Sequence, residues 1–281
     1  MQQSGTLYIV ATPIGNLDDA SPRLKTVLSR VDAIACEDTR HSGRFLQHLG
    51  IQKPLLSLHE HNEDQRLPAL LGRLQGGESL ALISDAGTPL LSDPGYPLVR
   101  AAVAAGIPLS PIPGPNAAIA ALSVSGLPPE PFRFLGFPPR QGGARRKWFQ
   151  TLAKVPDTLL FYESIHRLGA TLADLAEAMG GERPAMVGRE LTKRHEQLRH
   201  GSLDSLAEWA ATASEAKKGE AVIVVGGWSG APSEEASLDV DALLKALDAE
   251  LPPRKVATVA AQVTGLNKNA LYQRLMERRQ D

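Results

Sequence analysis

The sequence predicts an α/β protein made of two α/β domains followed by a small helical tail. Three observations carry that prediction. Short apolar runs of four or five residues alternate with segments whose leucines keep a helical i, i+3, i+4, i+7 spacing, which is the pattern of βα units. Loops rich in glycine and proline follow several of these runs, where strands of an open sheet hand over to helices. A proline cluster, Leu127-Pro128-Pro129-Glu130-Pro131, interrupts the alternation near the middle, since proline stops both helices and central strands. The expected division is 1–127, 128–228 and a tail at 229–281.

In order, Leu7-Tyr8-Ile9-Val10-Ala11 reads as the first strand, and Ser21 as the cap of a helix with Pro22 at its first position and Leu24, Val27, Leu28 and Val31 on one face. Ala33-Ile34-Ala35-Cys36 and Leu55-Leu56-Ser57-Leu58 are the next strands. A helix with Leu67, Leu70, Leu71 and Leu74 follows the second of them. Ser79-Leu80-Ala81-Leu82-Ile83 is a buried strand. Leu109-Ser110-Pro111-Ile112 reads as an edge strand because of its prolines, and Asn116-Ala117-Ala118 turns it into a helix.

Beyond the proline cluster, strands are expected at 132–137, 158–162, 185–189 and 221–225. Arg140 to Lys147 reads as a flexible basic loop running into a helix. Leu168, Leu172, Leu175 and Met179 mark one later helix, and Leu206 with Trp209 another. Antiparallel hairpins fit this half better than the first. A polar linker at 229–237 leads to helices carrying Val240, Leu243, Leu244 and Leu247, then starting at Pro253 and ending at Gly265, then capped by Asn267. The tail has the size of a DNA-reading helix-turn-helix, although such tails more often pack on protein.

Composition bounds the function. Hydrophobic residues make up 43% and charged residues 22% of the 281, which is ordinary for a soluble protein. No apolar run approaches the roughly 20 residues of a membrane span, and no basic-plus-apolar leader opens the chain. The lone Cys36 excludes an internal disulfide. The expected compartment is therefore cytoplasmic. A net charge of −1 gives no whole-molecule attraction to nucleic acid, so any RNA contact must come from local basic clusters.

The stretch from 82 to 95 organises the rest. Its strand ends at Ser84, and Gly87, Pro89 and Pro94-Gly95 forbid regular structure beyond it, which leaves Asp85 at a strand end within reach of a ligand. Loops 12–16 and 113–117 have the same Gly/Pro character. None matches Gly-x-Gly-x-x-Gly or a phosphate-binding Gly-x-x-x-x-Gly-Lys, so the expected ligand is small and without phosphates.

These loops, Thr12-Pro13-Ile14-Gly15-Asn16-Leu17, Ile83-Ser84-Asp85-Ala86-Gly87-Thr88-Pro89 and Pro113-Gly114-Pro115-Asn116-Ala117-Ala118, resemble those of the tetrapyrrole methylase superfamily. Cys36-Glu37-Asp38-Thr39-Arg40-His41, His59-Glu60-His61-Asn62-Glu63, Phe161-Tyr162-Glu163-Ser164 and Arg189-Glu190-Leu191-Thr192-Lys193 narrow the resemblance to its 16S rRNA cytidine 2′-O-ribose methyltransferases. The resemblance runs from about residue 5 into the tail. Ile165 departs from it, standing where proline is usual after Glu-Ser, which puts only the local loop geometry in doubt.

The resemblance implies S-adenosylmethionine folded into a cleft between two α/β domains, with Ile14, Gly15, Asp85, Gly87, Thr88, Asn116, Ala117 and Tyr162 around it. It implies 16S rRNA of the small ribosomal subunit as partner, cytidine 1402 as target, and a homodimer. A ribose hydroxyl is a poor nucleophile, so a base or orienting group is expected, and Glu163, Glu190, Lys193, His59 and His61 are the loop candidates. His59-Glu60-His61 also invites a metal reading, but no further ligands keep useful spacing. Arg145, Arg146 and Lys147 beside Trp148, and Arg189, Arg194 and Arg199 near Lys193, are the expected RNA contacts. Two other readings stay open: a tetrapyrrole carbon methyltransferase on the same fold, and a non-catalytic nucleic-acid-binding protein using the tail.

Overall fold

A computed structural model describes residues 4–212, 219–230, 240–249, 251–264 and 266–278. The chain forms two compact units, 1–228 and 229–281.

The first half of the larger unit is a five-stranded sheet. Its strands are β1 (Leu7–Val10), β2 (Ala33–Cys36), β3 (Leu55–Ser57), β4 (Leu80–Ile83) and β5 (Leu109–Ile112), in the order β3-β2-β4-β1-β5, all parallel. Every residue of β2 and β4 is buried, because helices cover both faces. On one face, α3 (Glu63–Gln75) and α4 (Tyr96–Ala104) bring Leu70, Leu74, Leu98 and Ala102 against Leu7, Leu80 and Leu82. On the other, α1 (Pro22–Arg30) and α2 (Thr39–His48) bring Leu24, Leu28 and Leu46 against Val10, Ile34 and Ile83. Ser21 caps α1 through its hydroxyl, 3.1 Å from the Leu24 amide, with Pro22 at the first position. Proline-bearing β5 lies at the sheet edge.

The second half is a mixed sheet of β6 (Phe132–Phe134), β7 (Thr158–Ser164), β8 (Pro184–Arg189), β9 (Gln197–Ser202) and β10 (Glu220–Val225), in the order β6-β7-β10-β8-β9. Only β6 and β7 pair in parallel. One face packs on α6 (Gly142–Leu152), α7 (Leu168–Met179) and α8 (Leu203–Thr212), through Phe149, Leu172, Leu175 and Leu206. The other face meets α5 (Ala117–Val124): Ala118, Ala121 and Leu122 pack on Leu160, Met186, Val222 and Val224, with Ile14 of the first half in the same cluster. Alternation along each strand therefore separates side chains that face α5 and the first half from those that face α6–α8.

Three elements fall outside the sequence expectations. Helix α2 has few large apolar residues and buries Ser42 with Leu46, while α4 exposes Tyr96 and Val103 and buries only Leu98 with Ala102, so neither shows a regular apolar stripe. Strand β9 is polar because it is a sheet edge with three of its six residues exposed. The expected flexible basic loop is also corrected, since α6 already begins at Gly142.

The smaller unit contains α9 (Val240–Asp248), α10 (Pro253–Thr264) and α11 (Lys268–Arg278), which share a core of Leu244, Val256, Ala260, Leu271 and Leu275. The Asn267 side chain accepts hydrogen bonds from the Asn269 and Ala270 amides at 2.9 and 3.4 Å, capping α11. Positions 231–237 of the expected linker, and Gly265, lie outside the described residues.

Candidate active site

The carboxyl ends of β1, β4 and β5 bring the three Gly/Pro loops together, and hydrogen bonds lace them into one surface. The Thr12 amide donates to the Gly87 carbonyl at 2.8 Å, and the Gly87 amide returns to Thr12 at 3.1 Å. The Thr88 hydroxyl donates to the Pro115 carbonyl at 3.1 Å. Gly87 has φ +84°, and a side chain there would press on Ile14, so glycine is required on both counts. Among the described residues, four non-glycine residues also adopt left-handed backbone: Leu90 and Ser92 after β4, and Glu190 and Thr192 after β8. Such strain persists only where surrounding structure over-determines it, and these two loops border the same cavity.

That cavity, about 430 Å³, opens between the two sheets and has the size of a small-molecule site. Ile14, Asp85, Gly87, Thr88 and Ala117 line it from the first half. Tyr162 lines it from the second, its ring edge-to-face against Phe134 at 4.7 Å and Phe137 at 5.6 Å. Two expected cofactor residues sit elsewhere. The Asn116 side chain accepts from the Ile119 amide at 3.1 Å and caps α5, and Gly15 lines an adjoining groove of about 570 Å³. The groove and the cavity share Ile14, Asp85, Ala86, Lys193 and Glu220.

Lys193 stands at that junction. Its stem lies so close to loop 12–16 that a β-carbon on Gly15 would come within 2.3 Å of its Cγ. Its ammonium donates to Glu190 at 3.0 Å and Glu220 at 3.1 Å. Burial pulls the Lys193 pKa down, but the bonds to those two carboxylates outweigh it, and the group is held above its ordinary value. Burial likewise pushes Glu190 up, and the Lys193 bond, the Glu220 amide and the charges of Lys193 and Arg189 bring it below the usual range.

Sequence reasoning missed Asp93, which lines the cavity beside Leu91 and Ser92. Burial pushes its carboxyl up to about 7, the charges of Glu37 and Asp85 adding to the effect against a bond from Ser84. The available signal was a second aspartate in the organising loop, just before Pro94-Gly95. Phe137, Leu191 and Val222, which supply apolar wall, were also missed, having no signature beyond ordinary core residues.

Other expected site residues are corrected. Glu163 lies within β7, and its carboxylate, with no exposed surface, accepts from the Thr171 hydroxyl at 2.6 Å and pairs with Arg167 at 3.1 Å. Although the residue borders the cavity, it shares the strand face of Leu159 and Phe161, so its carboxylate is turned toward α6–α8 and away from a substrate in the cleft. Arg145 is buried, with Asp174 at 2.6 Å, so it is not a surface RNA contact. Arg146 also pairs with Asp174, at 3.1 Å. Arg189 is buried and donates to Gln197 at 3.1 Å. Lys147 and Arg194 are exposed. Arg199 lies over the Trp209 ring, 5.6 Å from its centre. His59 and His61 contact each other at 6.0 Å on the loop before α3, and neither lines the cavity or the groove. Among the described residues no cluster of His, Cys, Asp or Glu is arranged to hold a metal ion, and no helix is long and apolar enough to cross a membrane.

Comparison with known proteins agrees with this architecture. Residues 6–207 match the profile of the Tetrapyrrole (Corrin/Porphyrin) Methylases, and residues 234–279 that of the RsmI C-terminal HTH domain. The chain is 52% identical over 277 residues to ribosomal RNA small subunit methyltransferase I of Pseudomonas aeruginosa, covering 98% of both. It is 47% identical to the protein of that name from Escherichia coli O157:H7, covering 97% of this chain and 95% of that one. Among solved structures, the methyltransferase CobJ superposes with a TM-score of 0.59 at 20% identity, over 80% of this chain and 95% of that one. A uroporphyrin-III C-methyl transferase from Thermus thermophilus complexed with S-adenyl homocysteine superposes with 0.55 at 17% identity, over 79% and 97%. From loop geometry, sheet order and this similarity, the chain belongs to the tetrapyrrole methylase family and, within it, to the ribosomal RNA small subunit methyltransferase I family.

Proposed function

We propose that this enzyme transfers a methyl group from S-adenosylmethionine to the ribose 2′-oxygen of a cytidine in 16S rRNA, position 1402 by family resemblance. The observation that carries the reading is the junction itself: a small-molecule cavity and an open groove that share one wall, with Lys193 on it. When bound, the cofactor supplies an electrophilic methyl group on a sulfonium.

The cavity residues fit such a group. Leu91, Phe137 and Val222 offer apolar wall for its purine. Asp85 takes one long bond from the Asp38 amide, 3.3 Å, and keeps acceptor capacity for ribose hydroxyls or an amino group. Asp93 faces the same space and gains a counter-charge when a cation enters.

Lys193, held protonated, orients the acceptor oxygen by donating to it and does not abstract its proton. Glu190 holds Lys193 in place, and the hydroxyl proton released as the oxygen gains its methyl group would leave to solvent water along the open groove. Ile14, Leu191 and Val222 keep water from the junction, which favours the transition state because the sulfonium charge disappears as the new C–O bond forms. Lys147 and Arg194, both exposed, remain the proposed contacts to more distant RNA. We further propose that residues 1–127 and 128–228 act as the two walls of the cleft, and that the enzyme is a cytoplasmic homodimer.

The decisive experiment is incubation with methyl-labelled cofactor and small ribosomal subunits lacking the modification, followed by mapping of the label. Label on one cytidine ribose is the expected result. Label on a base, or on an added tetrapyrrole in preference to RNA, overturns it.

A further inference from the structure

The groove beside the cavity has a wall of its own, and nothing in the cofactor reading uses it. Helix α2 sends His41, Arg44 and His48 to this groove, at the i, i+3, i+7 spacing of a single helical face. All three are exposed. Thr12, Pro13, Gly15 and Leu17 form the opposite side, and Leu17, 42% exposed, presents an apolar surface at its edge.

Arg44 differs from three of the arginines discussed above. Arg145, Arg146 and Arg167 are each tied to a carboxylate, whereas Arg44 has no carboxylate within 4.0 Å among the described residues. The carboxylates facing the groove are Asp85, which accepts from the Asp38 amide, and Glu220, which is paired with Lys193. The N-terminus of α2 contributes no free anion site, because the Asp38 side chain already accepts from the Arg40 and His41 amides at 2.7 and 3.4 Å. Recognition must come from the side chains. A guanidinium flanked by two imidazoles, facing an apolar edge in the same groove as an ammonium, suits a phosphate and base with the sugar between them.

We propose that this groove is the acceptor-nucleotide subsite: Arg44, with His41 and His48, holds a phosphate of the RNA strand, Leu17 supports a base, and the ribose is thereby presented at Lys193. The assignment rests on the RNA methyltransferase reading. It moves the primary RNA contact from the α6 cluster, where Arg145 is buried, to α2.

The test is equilibrium binding of full-length protein to small subunits lacking the modification, over a series of salt concentrations, with cofactor affinity measured by calorimetry in parallel. Arg44→Ala and Arg44→Glu should each weaken subunit binding by about tenfold or more. Arg44→Ala should lower the salt slope by about 0.7–0.9, the share of one phosphate contact. His41→Ala combined with His48→Ala should weaken binding severalfold. Cofactor affinity should stay at the parental value in all, which also reports a correct fold. If the parent methylates subunits and both Arg44 variants bind them as tightly as the parent at every salt concentration, the subsite is refuted while the reaction stands. If the parent neither binds nor labels subunits, the reaction fails and the subsite falls with it.

Discussion

Removing Asp174 or Arg145 should unfold the larger unit far more easily than removing either neighbouring cation. Asp174 on α7 holds Arg145 at 2.6 Å and Arg146 at 3.1 Å, and the side chains of Asp174 and Arg145 are only 10% and 6% exposed. With charge centres about 4 Å apart and an effective dielectric near 20, the attraction is about 4 kcal/mol before desolvation is charged against it. What decides the cost of mutation is the charge left behind. Asp174→Ala strands a buried guanidinium and should cost about 3–5 kcal/mol. Arg145→Ala leaves Asp174 with Arg146, so the lower end, about 3 kcal/mol, is expected. Arg146→Ala removes a half-exposed partner and should cost about 1 kcal/mol or less, and exposed Lys147→Ala within about 0.5 kcal/mol. Urea unfolding followed by tryptophan fluorescence reads this directly: at a slope near 3 kcal/mol/M, Arg145→Ala should shift the midpoint by about 1 M. If Arg145→Ala lies within about 1 kcal/mol of the parent and alongside Arg146→Ala, the pair is not structural and Arg145 returns to the pool of surface cations.

Three further outcomes follow from the cleft. Asp85→Ala should abolish cofactor binding with an unchanged circular dichroism spectrum, and parental affinity by calorimetry would contradict its placement at the cofactor. The Asp93 carboxyl, raised to about 7 from an ordinary 3.8, contributes stability that is complete below the lower value and lost as pH rises through the upper one. Asp93→Asn should therefore flatten the decline in melting temperature between pH 5 and pH 8, and a parallel decline in both proteins would disprove the shift. Gly15→Ala should displace Lys193, lowering kcat while leaving cofactor affinity within about threefold of the parent; unchanged turnover would show that Lys193 does not position the acceptor.

Much of this was legible because buried parallel strands announce themselves. Ala33-Ile34-Ala35-Cys36 and Leu80-Ala81-Leu82-Ile83 are apolar throughout, since both sheet faces are covered. Asp85 was legible because the glycine and prolines after it exclude regular structure. The cations were misread because adjacency in sequence carries no information about direction. Successive helical residues turn by about 100°, so Arg145 points inward, Arg146 sideways and Lys147 outward. Phe149 and Leu152, four and seven positions after Arg145, mark the buried stripe and were the overlooked signal. Glu163 was misread in the same way, since Leu159 and Phe161 at alternate positions already faced the helices. Glu190 and Lys193 lacked any local signal of their pairing with Glu220, which is brought to them only by the antiparallel contact of β8 and β10.

The central position of β1 has a consequence for synthesis. It is made before the other strands of its sheet, yet its partners in the finished sheet are β4 and β5, and the contact of Thr6 with Ser79 spans 73 residues. At about 5–20 residues per second, Tyr8-Ile9-Val10 must wait roughly 4–15 seconds for the neighbouring strand to be made. Strands β2 and β3 and helix α1 are complete within that interval, but β2 reaches β1 only through β4. The nascent chain therefore carries two unjoined apolar edges until Leu80-Ala81-Leu82-Ile83 is inserted between them. Joining β1 to the β2–β3 pair waits for β4, and that interval is when a chaperone has most to hold.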